Sequence, residues 1–226
     1  YDPLYSGFID RSLAQATTTL QGGTAFGIYP LNRYRRLELS AGLLQYKQSF
    51  NDPSLQQTSD QYQQAQFGRS LLQNGYFMPL GAALVEETTV FREFGPLAGS
   101  TMKVGYDVSP KIANTISRQS FDVDMRYYQR LATSGVLALR FRGFKSIGAL
   151  PDYTYFGGNS EVRGYDYLSF VGQNAMFANA ELRFPLIEAA LTPIGVIGGI
   201  RGVFFANIGG GWFNNSGFKF WNNNVA

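Results

Sequence analysis

The sequence predicts an all-β protein, an antiparallel transmembrane β-barrel, and three observations carry that prediction. Apolar and polar residues alternate with a period of two over long runs, as in strands that keep one face in an apolar medium. The runs are 11 to 16 residues long, beyond the roughly 5–6 usual in soluble sheets. They suit a tilted bilayer crossing of about 9–11 residues plus its ends. Short turns alternate with long polar connections, the layout of an outer-membrane barrel. Alternation alone fits a soluble sandwich or a lipocalin-like barrel equally well. The membrane reading is favoured because charge sits at mid-strand (Asp122, Asp124 and Arg126; Arg140 and Arg142) opposite continuous apolar faces, as a wet lumen inside and lipid outside require.

About eight strands can be placed in order. The first, 16–29, ends at the short turn "PLNRY". In the second, 34–47, Leu37, Leu39, Ala41 and Leu43 oppose Arg36, Glu38, Ser40 and Gly42. A long Gln/Ser/Asn-rich loop, 48–76, reads as a surface loop outside the cell and leads to a strand over 77–92. After "EFGPLAG" comes 99–109, where Met102, Val104, Tyr106 and Val108 oppose Lys103, Gly105 and Asp107. In 118–131, Phe121, Val123, Met125 and Tyr127 oppose Asp122, Asp124, Arg126 and Tyr128. In 135–146, Leu137, Leu139 and Phe141 oppose Ala138, Arg140 and Arg142. Within 172–187, Phe177, Asn179, Glu181 and Arg183 share one face, and Ala178, Ala180, Leu182 and Phe184 the other. The last strand, 196–210, follows a short turn after Glu188, and no amphipathic helix stands out.

Composition narrows the chemistry. The chain has 226 residues and a net charge of +3, too small a bias for a nucleic-acid partner. It contains no cysteine and no histidine, so disulfides, thiolate or zinc sites and histidine triads are excluded, and no cofactor is expected. The apolar run at 189–200 is too short for a membrane helix of ~18 residues. No leader reads at "YDPLYSGFIDRS", so the chain reads as cytosolic or as a mature or truncated form. Without histidine, catalysis would need carboxylate or lysine chemistry. Adjacent Glu86 and Glu87 point to opposite faces, and Asp122 with Asp124 reads as an electrostatic wall beside Arg126; the expectation is no enzyme and no metal. Tyr29, Tyr34, Tyr127, Tyr128 and Trp212 read as interface-belt rings. Gly209 to Gly211 lack the strand–helix context of a phosphate loop.

One stretch breaks the pattern. "YFGGNSEVRGYDYLSFVGQ" (155–173) holds an arginine, paired glycines and several rings in what reads as a loop. "FGGNSEVRGYDY", then "GQNAMFANAELRFPL", then "RGVFFANIGGGWF", resembles the bacterial surface-antigen outer-membrane barrel superfamily. That superfamily includes the BamA/TamA-type assembly factors and is related to the two-partner secretion transporters. The matching residues are Gly157, Gly158, Val162, Arg163, Gly164 and Tyr165, then Glu181 to Pro185, then Phe205, Asn207 and Gly209. Upstream, "YPLNRYRRLELSAGL" and "TTVFREFGPLAGSTMKVGYDV" resemble the family's preceding strand–turn–strand units, so the likeness spans about 20–213.

The resemblance implies that 147–171 is a long extracellular loop folded into the lumen, its arginine meeting acidic residues on the inner wall. A guanidinium in a confined lumen needs a carboxylate, and Glu181 is the first candidate. Asn207 stands where the family has an acid, which makes for a weaker contact; Asp122 and Asp124 are alternatives. Tyr165, Tyr167 and Phe170 are expected to wedge the loop against the wall. Family barrels have sixteen strands, and an eight-stranded barrel leaves no room for such a loop. Residues 1–226 therefore read as a partial C-terminal outer-membrane barrel domain, completed elsewhere. The implied function is insertion, assembly or translocation of proteins in the outer membrane of a Gram-negative-type bacterium, through a seam that pairs with client strands. Implied partners are outer-membrane lipid and lipopolysaccharide, client outer-membrane or secreted proteins, and accessory periplasmic or membrane subunits. The alternative is a pore or an anchor barrel carrying a periplasmic or secreted domain, such as a propeller or hydrolase.

Overall fold

The computed structural model describes residues 16–50, 52–54, 56–58, 61, 65, 75–92, 95–113, 115–131, 135–193, 195–214 and 216. The strands are β1 (Ala16–Pro30), β2 (Arg35–Phe50), β3 (Gly75–Phe77), β4 (Leu80–Glu87), β5 (Val90–Arg92) and β6 (Gly95–Ser109). They continue as β7 (Arg118–Leu131), β8 (Gly135–Gly148), β9 (Thr154–Phe156), β10 (Phe170–Gly172), β11 (Asn174–Thr192) and β12 (Gly195–Trp212). Ten of them form one sheet in the order β1-β2-β4-β6-β7-β8-β11-β12, with β3 paired to β2 and β5 to β6. Neighbours in sequence are neighbours in the sheet, the meander expected of short-turn antiparallel strands. β9 and β10 form a separate antiparallel pair inside the β8–β11 connection.

All eight long strands of the sequence reading are present, with three differences. The stretch 77–92 is three strands rather than one. Pro79 lacks an N–H to donate, but its carbonyl accepts from Gly42. Thr88 and Thr89 turn their hydroxyls onto Ser100 and Thr101, and the β5–β6 register shifts between Val90 and Phe91. β11 runs on to Thr192, past a register shift between Pro185 and Ile187. The 48–76 connection, most of which lies outside the described residues, has helical residues at 53–54 and 56–58. Asp52 opens them, its carboxylate accepting from the Ser54 N–H at 2.8 Å.

The chain divides into two compact units. One comprises Tyr1–Phe26, Ser40–Leu80 and Val108–Ser117. Within it Phe77 is buried edge-on to Tyr46, and the buried Ser109 hydroxyl donates to the Ile116 carbonyl while accepting from the Met78 N–H. The other comprises Gly27–Leu39, Gly81–Asp107 and Arg118–Ala226. Its strands alternate in register: Asp124 stands opposite Arg142, Arg126 opposite Arg140, and Asn179 opposite Arg140.

The faces are inverted relative to a water-soluble sheet. Large apolar side chains are the exposed ones: Phe26 is 80%, Phe204 69% and Leu191 88% accessible, with Leu39, Phe121, Met125, Leu139 and Phe141 also exposed. The charged residues Asp124, Arg140 and Glu181 on the opposite faces are mostly covered. Apolar exposure on this scale far exceeds what a monomer sustains in water, so these faces belong in an apolar solvent. Tyr29, Tyr34 and Tyr127 are exposed with them. Tyr128, by contrast, alternates onto the charged face and is half-buried.

Candidate functional site

The site is built where the β8–β11 connection lies on the charged face of β8, β11 and β12. The β9–β10 pair sets its base, with Phe170 opposite Phe156 and Gly172 opposite Thr154. Between them the chain makes a tight turn closed by a bridge between Gly158 and Val162. Gly157 (φ 139°) and Gly164 (φ 93°) bracket it in conformations that disfavour a side chain. A Cβ on Gly157 would also stand 2.6 Å from the Asp166 carbonyl.

Apolar packing anchors the connection. Phe156, Val162, Phe170, Ala175 and Phe177 form one buried cluster with Phe144 against it. The Phe156 ring stacks on Phe170 at 5.1 Å and on Phe177 at 5.6 Å. β12 receives this cluster on glycines. A Cβ on Gly209 would lie 3.3 Å from Val162 and 2.8 Å from Phe177, and one on Gly211 would lie 3.4 Å from the Phe156 ring. The wedge is therefore Phe156, Val162 and Phe170. Tyr165 only tilts against Phe170 from a half-exposed position, and Tyr167 is 71% exposed.

Around this apolar centre, charges pair in both directions. Arg163 Nη2 lies 2.8 Å from Glu181 Oε1, with side chains 25% and 12% exposed. Arg163 Nε donates to the Asn159 carbonyl at 3.0 Å, and its guanidinium lies over the Phe205 ring at 4.7 Å. With its amide oriented by its neighbours, Asn207 accepts from the Arg163 backbone N–H at 3.1 Å. Glu181 Oε2 also takes Arg183 Nη2 at 2.8 Å, so one carboxylate serves two guanidinium groups.

The reverse pairing runs through Glu161. Its Oε1 meets Arg142 Nη1 at 3.2 Å, its Oε2 accepts from the Gly157 N–H at 2.9 Å, and its carbonyl accepts from Asn179. Asp122 and Asp124 do not meet Arg163. Asp124 binds Arg126 and Arg140, and Arg140 donates to the Ser160 carbonyl at 3.2 Å; Asp122 lies 3.7 Å from Arg142. They touch the connection only through intervening arginines. Glu161 was missed in the sequence, where it sits at an unspecified position between the paired glycines and Val162. The one available signal is that it is the acid nearest a wall rich in arginine. Among the described residues no group of three or more acidic side chains is placed to hold a metal.

Residues 9–226 match the Omp85 superfamily domain. The chain belongs to the Omp85 superfamily. This Omp85 domain is an outer-membrane β-barrel of the Gram-negative type, of the BamA/TamA surface-antigen kind, in a family that inserts or translocates proteins. The exposed apolar faces are accordingly its lipid-facing surface. The chain matches no curated protein.

Proposed function

We propose that this Omp85 domain is the barrel of a protein insertion, assembly or translocation factor whose 147–171 connection is an extracellular loop folded into the lumen and pinned there by Arg163. The contact between Arg163 and Glu181 is the observation that carries the reading: one carboxylate oxygen on the charged face holds a guanidinium nitrogen from the loop in a charge-assisted contact. Phe156 and Val162 are buried in the apolar cluster that seats the same turn. In this reading the loop braces β8, β11 and β12 while client strands pair elsewhere on the barrel. Client proteins and accessory subunits are its partners, and catalysis plays no part.

The natural absence of cysteine allows a clean test. A Val162→Cys variant, with its thiol at a buried position, is expected to react slowly with a membrane-impermeant maleimide in vesicles. Adding Glu181→Gln is expected to speed labelling at least tenfold. Equal labelling in both backgrounds would sink the pinned-loop reading. The wider function is read from the folding of an unfolded outer-membrane client into vesicles. Vesicles carrying the protein are expected to accelerate it, and failure to exceed empty vesicles would overturn that part.

A further inference from the structure

We infer that the lipid-facing surface of β7, β8, β11 and β12 carries a specific site for an anionic membrane lipid, with an acyl-chain groove and a lysine for the headgroup. The groove has a volume of about 630 Å³, within the ~300–1,000 Å³ usual for ligand sites. Small side chains make it. Ala178 stands in register between Phe141 of β8 and Ile208 of β12, and Ala180 stands between Leu139 and Ala206. Three alanines thus form a floor, and Phe141 and Ile208 are the walls. These residues alternate onto the apolar face and suit hydrocarbon; Arg126, Arg140, Asn179 and Asn207, which also border the groove, alternate onto the other face.

What distinguishes the groove from ordinary annular contact is Lys145. It lies on the same face of β8 as Leu139 and Phe141, exposed, opposite Phe121 on β7 and Asn174 on β11. No described residue forms an ion pair with it, whereas every arginine on the opposite face of β8 has a carboxylate partner. It lies four residues along β8 from Phe141, about 14 Å along the strand at ~3.4 Å per residue, or about 11 Å of depth at a tilt of ~40°. A single leaflet is about 15 Å of hydrocarbon, half of the ~30 Å core. An acyl chain lying on the alanine floor therefore carries its phosphate to the level that the Lys145 ammonium reaches by extending its stem toward the interface. A cation with no ion-pair partner among the described residues, facing lipid near that depth, matches an anionic headgroup. The site does not depend on how the 147–171 loop is read.

The test is native mass spectrometry of the detergent-solubilised protein titrated with phosphatidylglycerol or phosphatidylcholine of identical chains. The wild type is expected to hold one phosphatidylglycerol about fivefold more tightly than phosphatidylcholine, the worth of one lysine near an anionic surface. Lys145→Gln is expected to make the two lipids equal, and Ala180→Phe to weaken both by filling the groove. Both substitutions are on the exposed face, and retention of the strand circular dichroism shows that each variant is folded. Equal binding of the two lipids by the wild type, or unchanged binding in both variants, overturns the site.

Discussion

Glu181 holds Arg163 of the loop with one oxygen and Arg183 of its own strand with the other. That sharing makes the two ends of the contact unequal. Arg163→Ala leaves Glu181 still paired, so the loss is one charge-assisted contact and a ring stack, about 1–3 kcal/mol. Glu181→Ala strips the carboxylate from two part-buried guanidinium groups and is expected to cost more, about 3–5 kcal/mol. Guanidinium unfolding from vesicles reads the difference as the ordering of the two midpoints, and the reverse ordering would contradict the shared-carboxylate account. In the sequence, alternation gave Glu181 a face and the resemblance made it the first candidate partner for Arg163; the two groups lie 2.8 Å apart. Glu161 was not legible there, because a turn residue has no periodicity to assign its direction. Only the turn between Gly158 and Val162 aims its carboxylate at Arg142.

At the scale of elements, β12 matters for what it lacks. Gly209 and Gly211 leave the space that Val162, Phe177 and Phe156 fill. Gly209→Val is therefore expected to displace the 158–163 turn while β11–β12 pairing survives. Amide exchange in the turn should rise by an order of magnitude or more with the strand amides still protected; unchanged turn protection would show that the glycine is dispensable. The same glycines were set aside in the sequence as a failed phosphate loop, since nothing local says that a distant turn rests on them. Strand positions were legible because alternation is local. The breaks in 77–92 were not, because the register shift between Val90 and Phe91 depends on which residues of β6 stand opposite.

For the whole molecule, the lipid-facing surface sets the tolerance to charge. Phe141, exposed near the middle of β8, is expected to lose about 2–4 kcal/mol on replacement by arginine, as charge at the bilayer midplane does. Arg142→Lys, one residue along on the opposite face, is expected to cost much less, and folding into vesicles compares the two. The long strands keep their chain order in the sheet, in line with the alternation of short turns and long connections that the sequence shows. The way the β8–β11 connection settles has a consequence for timing. It precedes β11 and β12 in the chain, yet its buried side chains rest on residues of both. It can settle only after those later strands are made and paired. A slip of β12 by one residue turns its outward side chains inward, and in the direction that brings Ile208 to the place of Gly209 it sets a bulky side chain against Val162 where glycine now stands. The turn is then denied its seat, so its docking is expected to report the register of the strand that follows it.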